Sequence, residues 1–186
     1  MSWPRAEALR TDRLSLEPLA VEHASEMVVA LAPQDLYRFT DGEPPTLEEL
    51  EARYRRQSRG QSEDGRAGWL NWIIRCAGRG RAVGFVQATL TREGADLVAD
   101  VAWLVTASEQ GRGLAVEAAT AVVTWLTSMG VGRPQAYVHP DHAASALVAE
   151  RLGLVPTSTV VDDETLWEAV IAPRMQRHKG VRQPII

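Results

Sequence analysis

A short glycine-bearing segment carries the clearest chemical signal in the sequence. Residues 110–115 read Gln-Gly-Arg-Gly-Leu-Ala and open a run of apolar residues with helical spacing. The first turn of a helix has unpaired backbone N–H groups and the positive end of the helix dipole, so it attracts anions. Gly111 and Gly113 have no side chain to keep a phosphate away from the backbone, and Arg112 adds a positive charge. The segment therefore predicts a phosphate-binding helix start.

Three phosphate-binding patterns compete for this segment. A Walker loop needs Gly-Lys followed by Ser or Thr, which the chain lacks. A dinucleotide loop needs a third Gly or Ala, but Val116 stands at that position. An acyl-coenzyme-A loop of the form Gln/Arg-x-x-Gly-x-Gly/Ala is matched at Gln110, Gly113 and Ala115. We interpret the segment as that loop, and an ordinary glycine-rich helix start is the alternative.

A second polar cluster follows about 25 residues later and consists of His139, Asp141, His142 and Ser145. Three metal ligands so close together, with a proline between the first two, would form an unusual cage, so we predict no metal site. Ser145 is not in a Gly-x-Ser-x-Gly setting, which argues against a hydrolase nucleophile. Its hydroxyl is instead a candidate to bond a cofactor or to give a proton to a leaving thiolate.

Two side chains are candidates for a general base. An ammonium group must lose a proton before it can attack a carbonyl carbon. Asp100 lies in the predicted strand before the glycine segment, and its short side chain favours a water relay over direct contact. His139 is the second candidate because an imidazole titrates near neutral pH. The alternatives are a polar residue on the open face of a strand for Asp100 and a structural histidine for His139.

Strands and helices alternate around these residues. The patterns predict strands at 14–19, 69–76, 83–91, 97–105 and 135–138, a final hairpin of 155–161 and 165–171, and helices at 21–31, 46–58, 112–129 and 143–152. Thr46 and Glu49 form a capping box at the start of the second helix. We predict an α/β (α+β) domain over residues 1–172, with one mixed, mostly antiparallel sheet flanked by helices. Residues 173–186 are predicted to be a loosely held basic tail.

The loop and its position after three consecutive strands resemble the Gcn5-related N-acetyltransferase (GNAT) superfamily, and most closely its branch of ribosomal-protein N-terminal acetyltransferases. In that branch the loop typically reads Gln-Gly-Lys-Gly-aromatic-Ala-Thr-Glu-Ala, and here residues 110–118 read Gln-Gly-Arg-Gly-Leu-Ala-Val-Glu-Ala. The resemblance extends from Leu14 to about Val170. The second cluster is similar to the Asn-x-x-Ser element of the family, with His142 at the Asn position and Ser145 at the serine.

The resemblance implies an acetyl-CoA-dependent N-acetyltransferase that transfers acetyl directly to an amine. The pantetheine arm is then expected on the backbone of Trp103, Leu104 and Val105, with amides near Leu104 and Val105 polarising the thioester carbonyl. The pyrophosphate is expected on the amides from Gly111 through Leu114 to Ala115, and His142 and Ser145 are further cofactor contacts. Asp100 stands where the family often has Glu. The tyrosine that often serves as the acid is absent from residues 143–152, so Ser145 is the candidate for that role.

The acceptor is expected to be a small-molecule amine or a peptide N-terminus. Its pocket is predicted from residues 36–68 and the final hairpin. Residues 36–45 mix aromatic and acidic side chains and are candidates to hold a cationic amine, although a packed connector explains them equally well. The alternative function is a catalytically silent CoA-binding sensor or scaffold that kept the loop and lost the chemistry.

Composition narrows the class of protein. A net charge of -4 and a pI near 5.6 argue against a general nucleic-acid binder. No apolar run is long enough for a membrane helix or fit for a signal peptide. The single Cys76, read as a strand residue, excludes an internal disulfide. We therefore expect a soluble cytoplasmic enzyme without membrane or nucleic-acid partners, and the sequence leaves a homodimer open.

Overall fold

The computed structural model describes residues 3–39, 42–78 and 80–169. The predicted basic tail, the end of the last predicted strand, and Thr40 and Asp41 of the connector lie outside these residues. The strands are β1 (Leu9–Arg10), β2 (Leu14–Pro18), β3 (Gly68–Cys76), β4 (Ala82–Glu93), β5 (Asp96–Val105), β6 (Arg133–Val138), β7 (Leu154–Val161) and β8 (Glu164–Ala169). The α-helices are α1 (Ala24–Ala30), α2 (Leu47–Gln57), α3 (Leu114–Ser128) and α4 (Ala143–Arg151).

The described strands form one sheet in the order β1-β2-β3-β4-β5-β6-β8-β7. Neighbouring strands are antiparallel except β5 and β6, which are parallel because α3 connects them. The predicted fold class, a mixed and mostly antiparallel sheet flanked by helices, is thus confirmed. The two-residue strand β1 was not predicted, since two residues are too few to show a period.

Each face of the sheet has its own core. On one face α3 buries Leu114, Ala118, Val122 and Leu126 against side chains of β2–β5, among them the fully buried Trp72. On the other face Met27 of α1 and Leu50 of α2 pack with Ile73 and the partly buried Phe85 and Leu104. Because strand side chains alternate between faces, a residue's position in its strand decides which helices it meets.

Local sequence signals set the element ends. Thr46 accepts a hydrogen bond from the Glu49 amide, and the Glu49 carboxylate accepts one from the Thr46 amide at 2.8 Å, which is the predicted capping box. Asp162 and Asp163 both adopt positive φ angles, 51° and 62°, as a two-residue hairpin turn requires. Helix α1 is shorter than predicted because residues 21–23 form a 3₁₀ turn instead. No helix in the described part of the chain is both long and apolar enough to cross a membrane.

Candidate active site

The two parallel strands separate partway along the sheet and leave a gap. The β5–β6 ladder runs from Val98 and Arg133 to Asp100 and Gln135. Beyond that last rung β5 continues to Val105 paired with β4, while β6 continues to Val138 paired with β8. The facing edges of the two strands therefore diverge into a V-shaped opening, with Asp100 and Gln135 at its closed end.

Strand alternation decides which backbone groups of β5 face this gap. The Thr106 amide donates to the Val83 carbonyl on the β4 side, at 2.8 Å. The Leu104 carbonyl also faces β4, because it lies only 2.0 Å from where a Cβ of Gly84 would stand. In an antiparallel strand the N–H and C=O groups of one residue point the same way, and the next residue's point the opposite way. The backbones of Trp103 and Val105 therefore face the gap, and that of Leu104 faces β4. Of the two amides expected near the thioester carbonyl, the one of Val105 is on the gap side, and its polarisation of a bound carbonyl stays a prediction.

Gln110 ties the loop to the end of β5. Its Nε2 donates to the Val105 carbonyl at 2.9 Å. Of the three β5 residues expected to hold the pantetheine arm, Val105 thus has its carbonyl already engaged, and Trp103 is left with both backbone groups toward the opening. The Trp103 side chain packs against the two hydrophobic clusters on the face of the sheet that carries α3 and α4, so it borders the gap on that face.

The glycines of the loop leave the start of α3 open. Gly113 is the N-cap residue with φ 74°, and Gly111 has φ 73°. A Cβ at Gly111 would meet no atom within 4 Å, and one at Gly113 would meet only an Arg13 guanidinium nitrogen at 3.7 Å. Leu114 turns into the core and is 2% exposed, and Ala115 packs against that core. The amides of the first turn are therefore accessible to an anion.

A buried carboxylate organises the charges beside this loop. Glu109 is 2% exposed and forms ion pairs with both Arg81 and Arg112. Arg112, expected from sequence to add a fixed positive charge, is thus paired with Glu109, although its guanidinium stays half exposed. Two cations against one anion leave a net charge of +1 at the mouth of the loop, which suits an anionic ligand.

Glu117 fastens α3 to the loop between β1 and β2. Its carboxylate accepts hydrogen bonds from Thr11 Oγ1 at 2.5 Å, from the Arg13 amide at 3.1 Å and from Arg13 Nε at 2.6 Å. Arg13 Nη1 also donates to the Arg112 carbonyl at 2.9 Å. Burial would raise the pKa of Glu117, but the bonds from Thr11 and Arg13 prevail and hold it below its ordinary value. These contacts span about a hundred residues of sequence, so no local pattern announces them.

The candidate base lies at the closed end of the gap. Asp100 Oδ1 accepts a hydrogen bond from Gln135 Nε2 at 2.6 Å, and both side chains are on the face that carries α1 and α2. Gln135 is 8% exposed. Sequence reasoning had not singled out Gln135, because its role follows from the register between two strands that α3 separates.

The second polar cluster lies at the open end. His142 is the N-cap of α4, where its Nδ1 accepts from the Ser145 amide at 3.4 Å, and its ring stacks on Phe39 with centroids 4.4 Å apart. Burial, and then nearby His139, lower the pKa of His142. Because Nδ1 accepts the Ser145 amide, the neutral ring carries its proton on Nε2. His139 follows Gln135, the partner of Asp100, by four residues, which is about 13 Å along the strand. The two candidate bases, Asp100 and His139, therefore lie at different places along the gap.

The space between α2 and the sheet is a candidate position for the acceptor. A cavity there is bounded by Leu31, Leu50, Arg53 and Tyr54 from the helical side and by Asn71 and Gln87 from the strands. Leu50, Arg53 and Tyr54 fall within the expected stretch 36–68, the lining holds none of the described residues of the final hairpin, and the strand residues were not predicted. That this cavity takes the acceptor stays a prediction. Tyr37 of the connector is buried and donates to the Leu31 carbonyl at 2.7 Å, so it is a packing residue. The described residues contain no group of three His, Cys, Asp or Glu side chains able to hold a metal.

Comparisons with known proteins agree with this geometry. A family model described as an acetyltransferase (GNAT) domain matches residues 13–155. A solved GnaT-family acetyltransferase from Bordetella pertussis is 26% identical, covers 88% of this chain and 99% of its own, and superposes with a TM-score of 0.66. No curated protein sequence matches the chain.

Two more distant structures share the fold. The ribosomal-protein alpha-N-acetyltransferase RimL, solved with coenzyme A, is 15% identical over 89% of this chain and 98% of its own, with a TM-score of 0.69. The microcin self-immunity acetyltransferase MccE, solved with acetyl-CoA and AMP, is 16% identical over 87% and 94%, with a TM-score of 0.68.

Proposed function

This chain belongs to the GNAT acetyltransferase family, and from that premise we propose that it moves the acetyl group of acetyl-CoA to the primary amine of a small molecule or of a peptide N-terminus. One observation carries the proposal: the gap between β5 and β6 opens beside a helix start whose two glycines leave the backbone bare. A phosphate and a narrow acyl chain fit these two features together.

The residues at hand suit acetyl-CoA. The amides from Gly111 to Ala115 would hold the pyrophosphate, with Arg112 and Arg81 contributing their net positive charge. The Trp103 backbone would pair with the pantetheine arm along the free edge of β5. When bound, acetyl-CoA supplies an acetyl group activated as a thioester.

The reaction needs two proton transfers, one from the amine and one to the thiolate, and different side chains at the gap are assigned to them. Asp100 accepts a proton from the incoming ammonium, directly or through one water, and Gln135 orients its carboxylate. The amine nitrogen then bonds to the carbonyl carbon as the carbon–sulfur bond breaks. The Ser145 hydroxyl, on the first turn of α4, is the candidate to protonate the leaving thiolate. His139 at the open end is the second candidate base, about 13 Å along the strand.

A thiol-release assay tests this function. Purified protein is mixed with acetyl-CoA and pooled amines, short peptides and aminoglycosides, and free coenzyme A thiol is measured. We expect release that depends on both protein and amine. Binding of acetyl-CoA without release for any pool would instead indicate a silent CoA-binding protein.

A further inference from the structure

The cavity between α2 and the sheet is rich in hydrogen-bond donors and has no acid. Its walls are largely apolar, and its polar groups come from Arg53, Gln57 and Tyr54 on α2 and from Asn71 and Gln87 on the sheet. No Asp or Glu lines it among the described residues. A pocket with this lining does not favour a cationic group, in contrast to the expectation raised by the acidic connector at residues 36–45.

Asn71, one of the residues that line this cavity, has an unsatisfied donor. The residue is 7% exposed, and within the described part of the chain its Nδ2 has no hydrogen-bond partner. A buried donor left unpaired costs about 1–3 kcal/mol, so such groups in native proteins call for a partner. An oxygen atom of a bound molecule would supply it.

Arg53 adds a cation to the same cavity. No carboxylate of the described residues lies within ion-pair distance of its guanidinium. Burial holds the pKa of Arg53 below its ordinary value, yet a guanidinium stays protonated in proteins. Glu49, one turn earlier on α2, attracts the Arg53 cation from beyond ion-pair distance, and an anionic ligand in the cavity would add a direct partner.

The cavity is within reach of the reaction site. Asn71 is paired in register with Gln87, and Gln87 with Ala102. Ala102 lies beyond the last β5–β6 rung and therefore borders the gap. Adjacent strands are about 4.8 Å apart, so Asn71 is about 10 Å from the strand edge where the amine must attack.

We propose that Arg53 and Asn71 bind a carboxylate of the acceptor, and that the acceptor is a short peptide segment that carries this carboxylate and is acetylated at its N-terminal amine. This inference rests on the proposed function and names its substrate class. A carboxylate about 10 Å from the amine is either the C-terminus of a tripeptide or an acidic side chain two residues after the N-terminal one. Both sources present the same group to the cavity.

Two matched peptide pairs test the proposal and distinguish the two possible sources of the carboxylate. The first pair is Ser-Ala-Ala as free acid and as C-terminal amide, and the second is Ser-Ala-Glu-amide and Ser-Ala-Gln-amide. We expect the carboxylate member of at least one pair to have a kcat/KM at least about 10-fold higher, the size of one charge-assisted hydrogen bond. The pair that shows the preference identifies the source.

Variants assign the preference to the cavity. Arg53→Gln should reduce it to less than about 2-fold while leaving the Kd for acetyl-CoA unchanged, and Arg53→Lys should restore part of it. Arg55→Gln, at an exposed position of the same helix, is the matched control and should keep the full preference. Asn71→Asp places a negative charge beside the bound carboxylate and should lower the preference without requiring any change at Arg53.

The outcomes are distinct. Equal kcat/KM within both pairs, a preference that survives Arg53→Gln, or turnover of uncharged amines with none of the carboxylate peptides would overturn the carboxylate site and leave the acetyltransferase intact. Absence of thiol release with every amine would overturn the proposed function as well.

Discussion

Asp100 and Gln135 face each other on the last rung of the only parallel ladder among the described strands, and Asp100 Oδ1 accepts the Gln135 Nε2 hydrogen bond at 2.6 Å. The rung is the point at which β5 and β6 part. The carboxylate is therefore held at the closed end of the gap, on the face of the sheet that carries α1 and α2.

The Asp100→Asn variant tests the role of this carboxylate. An amide oxygen still accepts the Gln135 hydrogen bond, so the rung is kept, but an amide cannot take a proton. We expect kcat to fall by about 10²- to 10⁴-fold, with the Kd for acetyl-CoA changed less than about 2-fold. Asp96→Asn, at an exposed position of the same strand, is the control. Wild-type turnover in Asp100→Asn would remove Asp100 as the base.

The stability of the protein should respond to His142 below neutral pH. Burial and His139 lower the pKa of His142 from its ordinary 6.5. As pH falls below that value the unfolded chain takes up the proton before the folded protein does, so stability present at neutral pH is lost. His142→Asn keeps an N-cap side chain but removes this titration. We expect the Tm of His142→Asn to fall less than that of the wild type between about pH 7.5 and pH 5.5. Parallel curves would contradict the assignment.

Glu117 should stabilise the protein as a negative charge. Although burial acts against it, the bonds from Thr11 and Arg13 lower its pKa, so this stability is present above pH 4.5 and is lost as pH falls through that region. Glu117→Gln should lower the free energy of unfolding by about 1–3 kcal/mol at neutral pH, measured by urea denaturation. The exposed Glu150→Gln on α4 should change it by less than about 0.5 kcal/mol. Similar losses of unfolding free energy in the two variants would show that Glu117 stabilises the protein no more than an exposed carboxylate does.

Local signals in the sequence were sufficient for much of the fold. The capping box at Thr46 and Glu49 and the turn at Asp162 and Asp163 involve neighbours in the chain, so their chemistry is readable without a structure. The strand that ends at Val105 and the glycine loop after it are likewise local, which is why the order of elements and the loop were predicted together.

The contacts that sequence reasoning missed join distant segments. The partners Asp100 and Gln135 depend on a register set across α3, and the pairing of Glu117 with Thr11 and Arg13 depends on how α3 lies on the sheet. The side of β5 toward which the Leu104 amide points depends on the register between β4 and β5, and a shift of that register by one residue would reverse it. No single sequence motif encodes the register between two strands.

Binding of acetyl-CoA to two glycine variants of the same helix tests the central claim most directly. Gly113 at the start of α3 and Gly130 just after its end both have positive φ, 74° and 86°, so tryptophan strains the backbone similarly at either position. Only the Gly113→Trp side chain obstructs the amides of the first turn. By calorimetry we expect Gly113→Trp to lose at least about 100-fold in affinity and Gly130→Trp to stay within about 3-fold of the wild type. Equal affinity in the wild type and Gly113→Trp would contradict the account.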